Sequence, residues 1–446
     1  MSQESFLKTV LKIAVPVGLQ SMLQSSFAMI DQLMAGQLGS AAVAAIEAAG
    51  RPAFICSVVE GAVAAVAGIM ISQYLGAEDE ERADRSLSVN LAAAALLAAL
   101  FAAPGLLLPE RIVGLFVGED PAILALGQDY LRWVSWTYLP LGIASMLSVM
   151  IRCAGRASFP LWAGFVSAAV NTALNYGLIF GHGGLPALGV TGAAIASVAS
   201  QVVNLLLIAA MFLHVRGRGF RFSLSLGTEE WRRYLLMLLP ILINEFLWSV
   251  GQSVNTYIYG HISAGDLASM SMTGPVQGLF IGALGGVSQA AGILIGKRLG
   301  AREYDRAYRE SKRLMWYGLT GSLVLSALLV GARGPYVLLY KVEPEVRAAA
   351  AKLLLAFAVL APVKVANMIL GGGILRSGGK TAYIMAIDLI GTWLVGAPLG
   401  LASAFLFHLP VEWVYFILSQ EELVRLALSL AVFRKKRWMV SFSSPA

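Results

Sequence analysis

The second half of this chain repeats the first at one fixed offset, which aligns position 16 with position 240. The segment 67–77 aligns with 291–301 without a gap, and seven of the eleven positions are identical. The same offset pairs prolines, glycines and arginines along most of each half: Pro16 with Pro240, Gly36 with Gly260, Gly50 with Gly274, Gly61 with Gly285, Arg82 with Arg306 and Arg152 with Arg376. Duplication in a very apolar chain is typical of secondary transporters, in which two repeats move about a central site.

The composition is that of a membrane protein. Hydrophobic residues make up 58% of 446 positions, charged residues 13%, and the mean hydropathy is +0.73. About 20 apolar residues span the hydrocarbon core as a helix. Twelve segments qualify, approximately 10–35, 42–75, 88–108, 123–150, 159–181, 188–214, 234–260, 267–298, 312–332, 349–374, 382–407 and 411–433. We therefore predict an all-α integral membrane protein with twelve transmembrane helices in two pseudo-symmetric six-helix bundles, which run parallel because each repeat holds an even number of spans.

The distribution of lysine and arginine among the loops predicts the orientation of the chain in the membrane. If the N-terminus is cytoplasmic, 24 of the 33 basic residues fall in cytoplasmic segments. The opposite loops, near 36–41, 181–188, 261–267 and 408–411, contain none. The positive-inside rule then places both termini in the cytoplasm. This topology, together with anionic lipid, explains the net charge of +7, so the charge gives no reason to expect a nucleic-acid partner.

One polar connection divides the chain. Residues 215–233 form the longest polar stretch between predicted spans and join the two repeats on the cytoplasmic side. We expect an N-terminal six-helix lobe at 1–214, a cytoplasmic linker at 215–233 and a C-terminal six-helix lobe at 234–446. The first apolar run is too long for the core of a cleavable signal peptide and lacks a convincing cleavage site, so we expect it to remain as a span.

The duplication preserves shape but not charge. The retained pairs are mostly glycine, proline and loop arginine, which shape bends and close helix contacts. The intramembrane charges have no counterpart in the other repeat: Asp31 pairs with Asn255, Glu245 with Ser21, Glu60 with Leu284 and Lys364 with Pro140. Each lobe is therefore expected to carry different chemistry.

A first candidate site is centred on Asp31. This carboxylate lies deep in an apolar segment, where a lone charge is costly and should face a polar cavity. Asn171 and Asn175 are spaced i, i+4 on one helix face, at a depth in the outer half of the membrane that matches Asp31. Aspartate and asparagine oxygens can bind sodium, and a desolvated aspartate is equally a proton carrier. In the structural alternative, Asp31 ties helices together and the asparagines are packing residues.

A second candidate site lies in the C-terminal repeat. Glu245 and Lys364 both fall near mid-depth of their spans. They form either a buried ion pair of structural importance or a carboxylate that binds a cationic substrate or a proton, tuned by the lysine. Trp248 and the neighbouring aromatic residues could line an adaptable pocket, although such faces usually serve packing.

Nothing in the sequence indicates an enzyme. The four histidines lie in loops or helix ends without metal-binding spacing, and the two cysteines lie at different depths. No histidine, cysteine or paired carboxylate motif supplies a catalytic constellation, and no cofactor is expected.

Several motifs, taken in order, resemble the multidrug and toxic compound extrusion family. They are Ile13-Ala14-Val15-Pro16, the segment from Ile30 to Gly36, the segment from Gln73 to Ala77, the stretch from Asn171 to Gly181, the stretch from Gly192 to Ser197, and the stretch from Ile374 to Gly379. The resemblance covers essentially the whole chain. It implies a V-shaped pair of bundles that exports drugs and toxic organic cations by alternating access, against entry of sodium or protons.

The resemblance also implies roles for residues. Asp31 matches the cation-coupling aspartate of the first span, and Asn171 matches its companion asparagine; Asn175, which is aspartate in some members, and Ser197 complete the expected coupling site. Asp31, Asn171 and Asn175 would be the metal ligands if the ion is sodium. Glu245 resembles a seventh-span glutamate of some members. The expected substrate-binding residues are Glu245, Trp248, Asn255 and Lys364.

One rival interpretation remains within the broader superfamily. A flippase for lipid-linked precursors shares the architecture, but such proteins usually carry additional spans and a cavity rich in basic residues, whereas Lys364 is nearly alone among the predicted spans. A channel is disfavoured because the two lobes are duplicated but charged differently. We expect a multi-pass monomer in the cytoplasmic membrane of a bacterium, with cationic small-molecule drugs and membrane lipid as its partners.

Overall fold

The computed structural model describes residues 3–117 and 121–442, and all the regular secondary structure within them is helical. Eleven helices in this part of the chain are long and apolar enough to cross a membrane. They correspond to the first eleven predicted spans. The predicted all-α membrane architecture is confirmed.

The α-helices follow one another along the chain with short connections. They are α1 (Gln3–Gly36), α2 (Ser40–Gly76), α3 (Glu80–Leu107), α4 (Pro109–Val117), α5 (Pro121–Val134), α6 (Tyr138–Cys153), α7 (Ser158–Phe180), α8 (Gly189–Arg216), α9 (Thr228–Ile262), α10 (Ala264–Gly300), α11 (Tyr304–Val337), α12 (Pro344–Asn367), α13 (Thr381–Leu389), α14 (Ala397–Leu401), α15 (Val411–Leu418) and α16 (Glu421–Arg434).

Local chemistry explains several helix ends. The Asp79 side chain accepts a hydrogen bond from the Arg82 backbone N–H at 2.9 Å and caps the start of α3. Ser263 caps α10 in the same way, through the Asp266 N–H at 3.0 Å. Helix α7 ends at Phe180, and the next residue, Gly181, has a φ of 76°, the left-handed conformation that glycine adopts without strain.

The predicted twelfth span is divided. Helix α15 ends at Leu418, and α16 begins at Glu421 after a turn at Ser419 and Gln420. Each piece is too short to cross a membrane alone, so this segment is not among the eleven long helices. The turn precedes the charged residues with which α16 begins.

Two spans of the C-terminal repeat are not regular α-helices. Residues Met368–Leu375 continue α12 as a π-helix, and Ile390–Gly396 and Ala402–Leu406 are π-helical segments around α14. Such segments widen the helix, leave some carbonyls without their usual i+4 partner, and are frequent at functional sites. The sequence shows three consecutive glycines, Gly371 to Gly373, in the first segment but does not distinguish a π-helix from an α-helix.

The chain forms two compact units. Unit 1 comprises Met1–Gly18, Ser72–Glu78 and Gly227–Ala446, and unit 2 comprises Leu19–Ile71 and Asp79–Leu226. In unit 2, α7 packs on α8 and α3 on α6; in unit 1, α11 packs on α12 and α10 on the π-helix Met368–Leu375. The start of α1 and the end of α2 belong to the unit that contains the second repeat.

The end of α2 packs against the end of α10 with the symmetry of the duplication. A Cβ atom on Gly76 would lie 2.1 Å from the backbone oxygen of Lys297, and one on Gly300 would lie 1.9 Å from that of Gln73. The offset of the internal repeat relates Gly76 to Gly300 and Gln73 to Lys297. The two backbones therefore touch through equivalent glycines, which explains why the repeats both keep this residue.

Helix α10 also meets the start of α1 backbone to backbone. A Cβ on Gly286 would lie 2.0 Å from the Ala14 carbonyl oxygen, and one on Gly18 would lie 2.6 Å from the Ala283 carbonyl oxygen. The adjacent Gly285 differs, because no heavy atom lies within 4 Å of its virtual Cβ. Small residues thus allow α1 and α10 to approach closely within unit 1.

We predict that Gly286→Ala destabilises the protein while Gly285→Ala does not. The first substitution forces two backbones apart, at a cost of about 1–3 kcal/mol for overpacking. Thermal unfolding of both variants in the same detergent measures the difference. Equal melting temperatures for the two variants would contradict the close α1–α10 contact.

Candidate cation and substrate sites

Asp31 lies one turn and a half before the end of α1 and borders a cavity of about 290 Å³ within unit 2. Asn175 of α7 and Ser197 of α8 line the same cavity, together with Glu47 and Tyr130. The structure thus brings predicted coupling residues from three different helices to one place. Asp31 is half-buried, whereas Asn171 and Asn175 are 8% and 2% exposed.

Asn175 is the hydrogen-bond donor that holds the aspartate. Its Nδ2 donates to Asp31 Oδ1 at 2.8 Å and to Asn171 Oδ1 at 3.1 Å. The two asparagines lie four residues apart on α7, so their side chains lie on the same face of the helix. The predicted proximity of Asp31 to both asparagines is present in the structure.

The Asn171 amide has two possible orientations. In one, its nitrogen donates to Ser200 Oγ at 3.4 Å and its oxygen accepts from Asn175 and faces the Asp31 carboxylate. In the other, its nitrogen donates to Asp31 Oδ1 at 2.8 Å and Oδ2 at 3.1 Å. The amide oxygen and the ionised carboxylate are both hydrogen-bond acceptors. The first orientation therefore needs a proton or a cation between them. The second satisfies the ionised carboxylate directly.

The hydrogen-bond donor to the Asp31 carboxylate is a neutral amide, and a second carboxylate, Glu47, lines the same cavity. In the described part of the chain, no basic nitrogen lies within 4.0 Å of the Asp31 carboxylate. Asn175 Oδ1 is buried without a hydrogen-bond partner, and the Ser197 hydroxyl, which donates to the Ala193 carbonyl at 3.0 Å, is a further oxygen at the cavity wall. These groups can receive a proton or ligate a sodium ion.

Among the residues that the structure describes, no three His, Cys, Asp or Glu side chains cluster to hold a metal ion. A second carboxylate, Glu47, lines the cavity beside Asp31, together with amide and hydroxyl oxygens. Oxygen atoms of this kind are suitable ligands for a hard cation such as sodium.

A second carboxylate of unit 2 lies outside this cavity. Glu60 of α2 is 3% exposed, and its Oε1 accepts from the Cys56 thiol at 3.7 Å. A Cβ on Gly142 of α6 would lie 2.7 Å from the same oxygen, so the glycine makes space for the carboxyl group. Glu60 is therefore buried in the packing of α2 against α6.

Three of the four predicted substrate residues line one cavity of unit 1. This cavity has a volume of about 550 Å³, and Trp248, Asn255 and Lys364 border it. The π-helix Met368–Leu375 contributes backbone through Gly371 and Gly372. Glu245 is half-buried on α9 and does not line the cavity.

Lys364 pairs with a carboxylate that the sequence analysis did not single out. Its Nζ lies 3.5 Å from Glu422 Oε1 on α16. Glu422 also lies 3.7 Å from Arg425 Nη1 and accepts a hydrogen bond from Asn367 Nδ2 at 2.8 Å. No ion pair joins Lys364 to Glu245 within 4.0 Å, so each has different neighbours.

The same cluster continues through Asp388. This carboxylate forms an ion pair with Arg425 and accepts from Asn244 Nδ2 at 2.8 Å. Arg376 and Glu421 complete the charged lining, and neither forms an ion pair within 4.0 Å in the described residues. Three basic side chains therefore balance three acidic side chains around this cavity.

The sequence contains one signal for the residues that were missed. Glu421, Glu422 and Arg425 fall within the predicted apolar span 411–433, where charges are expensive and often functional. Their i, i+3 and i, i+4 spacing places them on one helix face. Lys364 is therefore not alone among the basic residues of this cavity, which corrects the expectation from sequence.

The comparisons with known proteins agree with this architecture. The MatE family model matches residues 16–177 and 240–402, two segments that begin at the prolines which the internal repeat pairs. A probable multidrug resistance protein NorM from Bradyrhizobium diazoefficiens is 30% identical over 90% of this chain and 87% of its own length. The protein of the same name from Agrobacterium fabrum is 26% identical over 90% of this chain and 88% of its own.

A solved structure shows the same fold. A mutant of the Vibrio cholerae MATE transporter VcmN superposes with a TM-score of 0.89 at 16% identity, covering 98% of this chain and 99% of the other. The family model covers well over half of the chain in two duplicated segments. The chain therefore belongs to the MatE family, the multidrug and toxic compound extrusion family of membrane transporters, and is not an enzyme.

Proposed function

We propose that this transporter is an antiporter that exports small-molecule drugs in exchange for sodium ions or protons, by alternating access. The observation that carries the proposal is the Asp31 carboxylate, held at a cavity wall by asparagine and without a basic partner in the described residues. An uncompensated charge in the membrane is costly and marks an ion pathway. The names of the NorM relatives support drugs as the substrates.

The Asn171 amide provides a physical link between ion binding and conformation. We infer that the Asn171 nitrogen donates to the ionised Asp31 carboxylate, and that the amide oxygen turns toward Asp31 when a proton or sodium ion is bound, because an oxygen cannot donate to an ionised carboxylate. The rotation changes the hydrogen bond of Asn171 with Ser200, which connects α7 to α8, and its hydrogen bond with Asn175 within α7. Binding at Asp31 would thus repack the helices around the cavity and shift the equilibrium between transporter states.

The two candidate ions use different ligands. A proton needs only Asp31 and the facing Asn171 oxygen, which lie 2.8 Å apart when the amide oxygen is turned toward Asp31. Sodium needs further oxygens, for which Asn175 Oδ1 and Ser197 are available at the cavity. Loss of the asparagine oxygens should therefore harm a sodium site more than a proton site.

The unit 1 cavity supports cationic substrates through a residue other than Glu245. Glu421 lines this cavity and has no ion-pair partner within 4.0 Å in the described residues. The aromatic residues Trp248, Tyr259 and Tyr415 line the same cavity, and aromatic rings can attract a cation. We propose that Glu421 and these rings bind the positive group of a drug.

The alternative of a lipid-linked precursor flippase receives less support. Its anionic substrate would need a cavity with excess positive charge. Lys364 and Arg425 are each engaged by Glu422 or Asp388, and only Arg376 lacks an ion pair among the described basic lining residues. A cavity with equal numbers of acidic and basic side chains, in which Glu421 and Arg376 both lack an ion pair, gives no excess positive charge to an anionic substrate.

We predict that Asp31→Asn abolishes gradient-driven efflux with little change in folding. The substitution keeps the shape but removes the charge that attracts the cation. Efflux of a fluorescent cationic dye from proteoliposomes, with sodium and proton gradients imposed separately, measures the effect. The matched control is Glu47→Gln, which neutralises another carboxylate at the same cavity. Undiminished active efflux by a well-folded Asp31→Asn protein would contradict the proposed role of Asp31 in ion coupling.

We predict that Asn171→Ala and Asn175→Ala weaken cation dependence rather than drug recognition. Each removes an oxygen ligand or a hydrogen bond to a charged group, worth about 1.5–3 kcal/mol, or roughly tenfold to a hundredfold in affinity. The measurement is the sodium or proton concentration that gives half-maximal efflux. Thr172→Ala is the control, because the buried Thr172 hydroxyl has no hydrogen-bond partner. A changed drug preference at unchanged cation dependence would place the asparagines in a substrate site instead.

We predict that Glu421→Gln reduces transport of cationic drugs more than that of neutral drugs, while Glu245→Gln does not discriminate between them. Glu421 lines the unit 1 cavity and Glu245 does not. Removing one charged contact with the substrate should cost about tenfold in relative affinity. Competition between a cationic and a neutral substrate in the same vesicles gives the ratio. The reverse pattern would assign substrate recognition to Glu245.

A further inference from the structure

Unit 1 has a second cavity of about 550 Å³, formed by α11, α12 and α16. It shares no lining residue with the cavity of Lys364 and Glu421. Most of its wall is apolar, contributed chiefly by Trp316, Leu319, Val363, Leu426, Leu430 and Phe433. We refer to this cavity as the α11–α16 groove.

One end of the α11–α16 groove is basic. Lys312 and Arg434 line it, and Lys436 lies beside it. The ammonium groups of Lys312 and Lys436 lie 4.5 and 4.6 Å from the centroid of the same ring, Tyr308, which stacks on Phe433 at 4.7 Å. None of the three basic residues has an ion pair within 4.0 Å in the described part of the chain. Converging cations without a carboxylate form a site for an anion.

The basic side chains and the apolar walls occupy different parts of the α11–α16 groove. Lys312 precedes Met315 and Leu319 along α11, whereas Arg434 follows Leu430 and Leu426 along α16. Tyr308 of α11 stacks on Phe433 of α16, so the basic groups lie at the same end of the groove. The apolar walls continue from there for about 10–12 Å at 1.5 Å per residue. Trp316 is 66% exposed at the rim, as expected for an aromatic residue at a membrane–water interface.

We propose that the α11–α16 groove binds an anionic phospholipid of the cytoplasmic leaflet. Its phosphate contacts Lys312, Arg434 and Lys436, and an acyl chain lies along the apolar walls. The apolar length argues for a lipid rather than a free phosphate, because an inorganic anion makes no favourable contact with Leu426 or Leu430. The inference rests on the proposed cytoplasmic orientation of these helix ends and is independent of the transport mechanism.

The test is a lipid titration of the purified protein in detergent. Dioleoylphosphatidylglycerol should raise the melting temperature more than dioleoylphosphatidylcholine or inorganic phosphate. In a Lys312→Gln/Arg434→Gln variant, the phosphatidylglycerol concentration for half of the shift should rise about 10- to 30-fold, from roughly fivefold for each removed charge. The control variant Lys435→Gln/Arg437→Gln removes two neighbouring basic side chains that do not line the groove and should titrate as the wild type.

A second variant keeps the charges and fills the groove. Leu430→Trp should also lose the rise in melting temperature that is specific to phosphatidylglycerol. This variant tests the proposal if the Lys312→Gln/Arg434→Gln variant does not fold. Equal shifts with phosphatidylcholine, or with inorganic phosphate, would overturn the proposal. So would equal weakening in the Lys435/Arg437 control, because the effect would then reflect the net charge of the surface and not this groove.

Discussion

The arrangement of polar side chains inside this protein depends on the free-energy cost of placing a charged group in the hydrocarbon of the membrane. In unit 1 the carboxylates of Asp388 and Glu422 are neutralised by Arg425 and Lys364 and by asparagine donors. In unit 2, Asp31 has only neutral partners among the described residues. Paired charges form a stable scaffold for a cavity, whereas an unpaired carboxylate needs a proton or a cation. Asp31 and, in unit 1, Glu421 lack such a basic partner within 4.0 Å among the described residues, and we propose Asp31 as the site of the coupling ion.

The duplication explains why two similar sets of helices hold both ion-paired carboxylates and an unpaired one. Gly76 and Gly300 make equivalent backbone contacts at the crossing of α2 and α10, so the repeat is retained where helices touch. Gly18 and Gly286 then fix the start of α1 on α10. The intramembrane charges lie outside these glycine contacts and differ between the two repeats. Similar helices can therefore support an ion site on one side and a substrate cavity on the other, as proposed for this family member.

The sequence was sufficient for the architecture, since apolar length and the repeat depend only on local composition. It also placed Asp31 near Asn171 and Asn175, because depth and the i, i+4 spacing can be counted along helices. Depth and spacing along a helix could not predict the ion-pair partner of Lys364. Glu422 comes from the divided last span, and its approach depends on how α12 and α16 pack. The π-helical segments were equally hidden, because their glycines and apolar residues also suit an α-helix.

The most direct test of the central claim measures ion release when a drug binds. Purified protein at low buffering capacity, loaded with protons or sodium ions, receives a cationic drug, and a pH- or sodium-sensitive dye records the released ion. If Asp31 holds the coupling ion, the wild type releases protons or sodium in proportion to the drug bound. The Asp31→Asn variant should bind the drug and release neither. Equal release from both proteins would show that the exchange occurs elsewhere.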